Sequence, residues 1–197
     1  MTRLFDIILS LIGIIILSPL FIVLGFWIIV DSKGPIFYRQ VRIGRYGKEF
    51  FLLKFRSMHV DADKKGLLTV GGRDPRITKS GYYLRKFKLD ELPQLFNVLS
   101  GEMSVVGPRP EVKKYVDLYT DEQRKVLNVR PGITDIASIE FSNENEILEQ
   151  QDNPEQYYID HIMPEKLRLN LRYILSPTIG NYLLIIFLTA KKIVTSK

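Results

Sequence analysis

KLDELPQLFNVLSGEMSVVGPRP, residues 88–110, is the stretch from which the rest of the chain can be read. Leu89, Leu92, Leu95, Phe96 and Leu99 recur at intervals of three, three, one and three, as on one face of a helix. Pro93 has no backbone N–H and is accommodated only in a first helical turn. The helix is therefore expected to start at Lys88 to Asp90, which puts two adjacent carboxylates, Asp90 and Glu91, at its N-terminus. Free N–H groups and the helix dipole favour negative charge there. One reading of Asp90 is a helix cap; the other is half of a reactive carboxylate pair. Gly107-Pro108-Arg109-Pro110 closes the stretch as a stiff turn that fixes the direction of one guanidinium.

Toward the N-terminus, Ile7 to Val30 carries no charge over 24 residues. That is long enough to span a bilayer and too long for the apolar core of a cleaved leader. Ser18-Pro19 lies in its middle, and proline removes a helical hydrogen bond and kinks the helix. Each arm, Leu4 to Leu17 and Leu20 to Val30, is only about 15–20 Å long at the helical rise, too short to span alone. Two geometries fit: a kinked span, and a re-entrant hairpin that enters and leaves on one face. Basic residues stand on both sides, Arg3 before and Lys33, Arg39, Arg42 and Arg45 after, a pattern that suits both ends facing the cytoplasm. Arg3 alone does not separate the two geometries. Arg3 and Asp6 are spaced for a contact that would soften the cost of a carboxylate at the interface.

Between these two stretches, Asp31-Ser32-Lys33-Gly34-Pro35 is a turn cluster. IFYRQVRIG then alternates as a strand, Gly44-Arg45-Tyr46-Gly47 turns, and Glu49 to Met58 returns as the hairpin partner. Lys54 and Arg56 would share a strand face, as a solvated cationic surface or a phosphate clamp. Residues 61–87 read as a basic loop, with Gly66, Gly71-Gly72 and Asp74-Pro75, and with Arg73, Arg76, Lys79, Arg85 and Lys86 as its charges. From Ser80 a helical pattern leads back into the opening stretch.

Downstream, helices are expected over Glu111 to Tyr119 and Asp121 to Val129, the second capped by Thr120. Arg130-Pro131-Gly132-Ile133-Thr134 reads as another turn. SNENEILEQ, residues 142–150, reads as an acidic, solvated helix. Asn153-Pro154 opens a helix carrying Tyr157, Tyr158 and His161, with His161 at the surface or an interface. Pro164 starts another, with Leu167, Leu171, Ile174 and Leu175 on one face. Ile179 to Ala190 is apolar but too short to span, and Lys191, Lys192 and Lys197 follow it. It reads as an interfacial helix or as a core helix with a basic tail.

The chain has 197 residues and a net charge of +6, suited to a phosphate-rich ligand, a lipid surface or nucleic acid. It has no cysteine, which excludes disulfides, thiolate catalysis and Cys-based zinc sites. Two histidines, His59 and His161, argue against a histidine metal site or a Ser-His-Asp triad. No GxGxxG or P-loop pattern is present. The expected fold is α+β and helix-rich, with a small β-hairpin, a membrane segment over residues 1–31 and a catalytic domain with a C-terminal interfacial helix over residues 32–197.

RLFD with a membrane segment interrupted at Ser18-Pro19, GPIFYRQVRIG, KFRSM, RDPRIT, LRKFKLDELPQLFNVLSGEMSVVGPRP and RPGIT follow one another over nearly the whole chain. In that order they resemble the bacterial sugar transferase family, in its small monotopic form. The resemblance implies transfer of a sugar-1-phosphate from a UDP-sugar to a polyprenyl phosphate such as undecaprenyl phosphate. It implies magnesium dependence, the cytoplasmic face of the inner membrane with its lipids, no nucleic acid, and a re-entrant helix broken at Ser18 and Pro19. Asp90 matches the family's catalytic aspartate and Glu91 its neighbour. On that footing Glu91 is expected to hold magnesium against the diphosphate, and Asp90 to attack the sugar-bearing phosphorus and give an acyl phosphate. Lys54, Arg56, Arg85 and Arg109 are expected around the phosphates. Where many members continue RPGIT with GxAQVxGR, this chain has Asp135 to Asn145 without the Gln and Arg, so residue roles carry over only as far as Thr134. Two other classes stay open: a membrane-attached phosphohydrolase using the same chemistry with water, and a non-catalytic basic membrane module. The sugar, the glycan pathway and homo-oligomer formation are left undecided.

Overall fold

A computed structural model describes residues 2–62 and 74–195. Gly66, Gly71-Gly72, Arg73 and Lys197, read above as loop and tail, lie outside the described residues.

The membrane segment is one uninterrupted helix, α1 (Thr2–Asp31), with Pro19 inside it. This corrects the expected break at Ser18-Pro19. Proline deprives the carbonyl four residues back, that of Ile15, of its donor. The Ser18 hydroxyl donates to that same carbonyl at 2.8 Å, so no backbone acceptor is left bare in an apolar setting. The helix is long and apolar enough to cross a membrane. Leu24 and Ile28 are buried against Phe55 and Leu84, while Leu4, Ile15, Ile16, Ile22, Phe26 and Val30 face outward.

Both ends of α1 are fastened to the rest of the chain. Arg3 donates to the carbonyls of Val98 (2.7 Å) and Leu99 (3.1 Å). Asp6 is buried and accepts from the Ser104 hydroxyl (2.8 Å), the Val105 N–H (2.9 Å) and the Tyr182 hydroxyl (2.8 Å). Two separate tethers thus replace the expected Arg3–Asp6 contact. At the other end Asp31 accepts from the N–H and hydroxyl of Ser80, both at 2.8 Å.

Strands β1 (Phe37–Ile43) and β2 (Glu49–Phe55) form the expected antiparallel hairpin, in register from Phe37 opposite Phe55 to Ile43 opposite Glu49. Helix α2 (Lys79–Lys86) is capped by the Thr78 hydroxyl. It leads through a 3-10 turn (Leu89–Glu91) into α3 (Gln94–Ser100). A second, parallel pair joins β3 (Ser104–Val106) to β4 (Gly132–Thr134), two segments whose sequences read only as turns. Gly107 and Gly132 pass so closely that a Cβ on Gly132 would lie 2.1 Å from the Gly107 nitrogen.

The remaining helices wrap this frame. They are α4 (Lys113–Val116), α5 (Asp121–Arg124), α6 (Ile136–Glu140), α7 (Glu144–Glu149), α8 (Pro154–Tyr157), α9 (Met163–Leu175) and α10 (Ile179–Thr195). Helix α4 is much shorter than its sequence pattern predicts, whereas α5 runs on as a 3-10 helix (Lys125–Asn128) close to the expected end and keeps its Thr120 cap, as a full capping box with Gln123. Val112, Tyr115, Val126, Leu148, Ile162 and Leu167 form the main core. Leu175 leaves the expected face of α9 and is exposed. Helix α10 buries Tyr182 and Ile185 against Val106 and Tyr173 and turns Leu183, Leu184 and Phe187 outward.

Candidate active site

The opening stretch does not start as one helix. After α2 the backbone reverses at Lys88, which is left-handed at φ 55° and ψ 22°. Leu89–Glu91 then form a separate 3-10 turn, and α3 begins only after Pro93, which is its N-cap residue rather than a member of its first turn. Asp90 is therefore not a helix cap, and both carboxylates sit on a turn between two helices.

Asp90 is 5% exposed and lines a cavity of about 430 Å³. Among the described residues its carboxylate accepts no hydrogen bond. Burial pushes its carboxyl above the ordinary range, Lys54 opposes this, and the Glu91 charge adds to the rise. Glu91 differs in every respect. It accepts from Lys54 Nζ at 3.2 Å and from Arg109 through both guanidinium nitrogens, one at 3.1 Å and a second, shorter bond. Burial alone would raise Glu91, but Arg109 and then Lys54 hold its carboxyl well below the usual value. Burial lowers the Lys54 ammonium against the pull of Glu91. Glu91 raises the Arg109 guanidinium.

All four expected phosphate cations line this cavity. Lys54, Arg56, Arg85 and Arg109 stand along it together with Asp90, and Arg85 forms no ion pair among the described residues. Arg56 also has a structural task. Strand β2 ends at Phe55, and the Arg56 guanidinium donates to the carbonyls of Ile28 (3.3 Å), Ser32 (2.5 Å) and Lys33 (2.8 Å) and to the Ser32 hydroxyl (3.0 Å). It satisfies the orphan carbonyls at the end of α1.

Residues the sequence reading passed over hold these groups in place. Asn97, buried on α3, stands in for a neighbouring strand: its Nδ2 donates to Phe51 O (2.8 Å) and its Oδ1 accepts from Leu53 N (2.9 Å). That pins β2 so that Lys54 meets Glu91. A polar residue inside an apolar helix pattern was the available signal, since a buried amide must find partners. Arg109 is set by the parallel ladder: Gly107 N donates to Thr134 O and Gly132 N to Pro108 O, both at 3.0 Å. Its own N–H donates to Asp135 Oδ2 at 2.8 Å. Buried Asp135 also caps α6 through Ser138 N and accepts from Asn170 at 3.0 Å. The divergent segment thus begins with a residue that fastens the Arg109 backbone.

Among the described residues no three His, Asp or Glu side chains gather as a metal cage. Asp90 lines the cavity, as do Asp61, Glu111 and Glu144, and Glu91 adjoins Asp90. A magnesium ion that takes most of its oxygens from a substrate diphosphate and water needs only one or two carboxylates, and a buried carboxylate without a partner fits that demand. The geometry amounts to one unpartnered carboxylate facing a cavity lined by cations, with a second carboxylate that orients two of those cations.

Comparisons with known proteins place the whole chain. A sequence model described as bacterial sugar transferase matches residues 1–196. The chain is 39% identical over 176 residues to a UDP-glucose:undecaprenyl-phosphate glucose-1-phosphate transferase of Klebsiella pneumoniae, covering 87% of this chain and 38% of that protein. It is 39% identical over 178 residues to the Xanthomonas campestris pv. campestris protein of the same name, covering 86% of this chain and 36% of the relative. It is 38% identical over 204 residues to an undecaprenyl-phosphate galactose phosphotransferase of Salmonella typhimurium, covering 96% of this chain and 39% of that protein. The chain therefore spans well under half the length of each of these three relatives.

Proposed function

From the premise that this chain belongs to the bacterial sugar transferase family, we propose that it transfers a sugar-1-phosphate from a UDP-sugar to undecaprenyl phosphate, releasing UMP. The observation that carries this reading is Asp90: a buried carboxylate, unpartnered among the described residues, in a cavity lined by Lys54, Arg85 and Arg109. A carboxylate attacking an anionic diphosphate needs fixed positive charge around it, and cations already in place do not have to reorganise as charge shifts.

In the first step an Asp90 oxygen forms a bond to the sugar-bearing phosphorus, and the bond from that phosphorus to the bridging oxygen breaks. UMP leaves with the electron pair. In the second step a phosphate oxygen of the lipid bonds to the same phosphorus and the Asp90–phosphorus bond breaks, which restores the carboxylate. Arg109 and Lys54, held by Glu91, bind the equatorial oxygens, and Arg85 adds a third charge. Glu91 would hold the magnesium ion, because three bonds to its cations leave one of about four lone-pair directions open. When bound, that ion supplies neutralisation of the diphosphate charge.

A lipid acceptor also accounts for the outward apolar faces of α1 and α10. Arg3 and Asp6 at one end of α1, and Asp31 at the other, are tied to the same body. This supports a monotopic seat for α1, with both helix ends on the side of that body, which we place at the cytoplasmic face of the inner membrane. The test is incubation of the protein with magnesium, a panel of UDP-sugars and undecaprenyl phosphate. A lipid-linked sugar diphosphate formed in step with UMP is expected. Free sugar phosphate with no lipid product would mean that water is the acceptor and would overturn the transferase reading.

A further inference from the structure

The cavity does not stop at the phosphate cations. Its walls run on to Glu144 and Asn145 of α7, Leu148 beneath them, Tyr158, and Lys166 of α9. Glu144 and Asn145 come from the acidic stretch whose sequence reads as solvated surface. Lys166 Nζ donates to Glu144 Oε2 at 2.8 Å, with side-chain exposures of only 12% and 25%. The Lys166 ammonium also stands 5.4 Å over the Tyr158 ring. Asn145 makes no hydrogen bond among the described residues. Tyr158 in turn donates its hydroxyl to Glu111, two residues beyond Arg109 on a backbone that Pro110 keeps extended. The polar end therefore begins about 7 Å along the chain from the cation that grips Glu91.

We infer that this end of the cavity is the subsite for the hexose ring of the donor, and that Glu144, Asn145 and Lys166 set which hydroxyl or acetamido pattern is accepted. The inference rests on the phosphoglycosyl transfer proposed above and goes beyond it by placing the sugar. On a nucleoside diphosphate sugar the sugar and the nucleoside extend to opposite sides of the diphosphate. Elsewhere the lining includes the rings of Phe37 and Tyr38 and the Met58 side chain, together with Arg56, His59 and Arg76, groups on which a planar pyrimidine can stack. The α7–α9 end offers a carboxylate, an ammonium and an amide over an aromatic face. These are charged acceptors and donors for a ring dense in hydroxyls, and charge-assisted bonds are the stronger kind. A site that hydrogen-bonds a particular hydroxyl discriminates sharply, because a donor lacking it leaves buried polar groups unpaired. This placement also gives the divergent segment after Thr134 a reason to differ: it borders the sugar rather than the phosphates.

The test uses the full chain and its best UDP-sugar, compared with the epimer or acetamido counterpart it uses next best. Glu144→Gln, Lys166→Met and Asn145→Ala are each measured for kcat/KM with both donors and for UMP affinity by calorimetry. Asn145→Ala breaks no bond within the chain, which keeps the test valid if one of the paired variants loses its fold. The expected result is a change of tenfold or more in the ratio between donors for Glu144→Gln and Lys166→Met, and a smaller one for Asn145→Ala, with UMP affinity held within twofold. Unchanged donor ratios in an active enzyme would overturn the sugar subsite alone. Parallel loss of UMP affinity would assign this end to the nucleoside instead. A wild-type protein that binds UMP but transfers from no donor in the panel would bring down the transferase reading, and the subsite with it.

Discussion

Asp6 and Asp90 are both buried aspartates, 2% and 5% exposed, and they are treated in opposite ways. Asp6 receives three neutral donors, from Ser104, Val105 and Tyr182, and is spent on holding α1 to β3 and α10. Asp90 receives none among the described residues and opens onto a cavity. Glu91 stands between these cases: its carboxylate accepts three bonds, all from two cations of the site, Lys54 and Arg109. A buried carboxylate that is satisfied holds structure together. One that is left unsatisfied beside cations carries a cost in stability, which marks it as a candidate for function.

The comparison breaks first at Asp90. Asp90→Asn is expected to lower turnover by about 10³-fold or more and to abolish any covalent phospho-sugar adduct detected by mass spectrometry. Its thermal midpoint should stay level or rise, since a neutral amide is cheaper to bury than an unpaired carboxylate. Retained turnover in that variant would remove the nucleophile. Glu91→Gln should behave differently, losing activity and stability together, because Lys54 and Arg109 then lack their counter-charge. About 3 kcal/mol is expected from urea unfolding, with a flattened magnesium titration. The pH dependence gives a second check. The folded Glu91 carboxyl lies below its unfolded value near 4.5, so the stabilisation is fully present above that pH and is lost as acid titrates the folded group. Glu91→Gln should lack that acid limb.

Asp6→Asn tests the structural side of the comparison. All three donors converge on Oδ1, a place the asparagine carbonyl can take, so three bonds to a charged acceptor become weaker bonds to a neutral one and a loss of about 2 kcal/mol is expected from a protein whose Asp90 is untouched. If activity per folded molecule fell as steeply as in Asp90→Asn, the separation between the tethered and the reactive carboxylate would fail.

How much of this was legible in the sequence depends on the range of the interaction. The β1–β2 hairpin, the caps at Thr120 and Asn153, and the carboxylate pair rest on local patterns, and the structure has all of them. The parallel β3–β4 pair has strands of three residues, too short for any periodicity, and joins segments far apart in the chain. Asn97 and Asp135 have partners that no spacing rule reaches. Arg56 read as a strand cation because Lys54 does, yet the strand ends between them. At Pro19 the rule that proline breaks a helix met a neighbouring hydroxyl placed to repair it. For the site, the sequence pointed to the carboxylates and cations that line or adjoin the cavity, and missed both the residues that hold them and the α7–α9 wall beyond.

The smallest effect concerns how Asp90 is presented. Lys88, at φ 55°, is a non-glycine residue in left-handed backbone, a conformation that costs roughly 1–2 kcal/mol. It reverses the chain so that Leu89 packs toward Leu84 and Ile28 while the next residue, Asp90, reaches the cavity. If backbone shape is what Lys88 contributes, Lys88→Gly should keep most of the activity. Its stability should change by less than about 1 kcal/mol, because relief of the Cβ clash is offset by the freedom glycine adds to the unfolded chain. Lys88→Val should be worse on both counts, since a β-branched side chain tolerates this conformation least. Urea midpoints and donor kcat/KM for the two variants decide the matter. A folded Lys88→Gly protein without activity would mean that the ammonium itself serves the reaction, and the contrast between Asp6 and Asp90 would then owe as much to a further cation as to the turn that exposes the carboxylate.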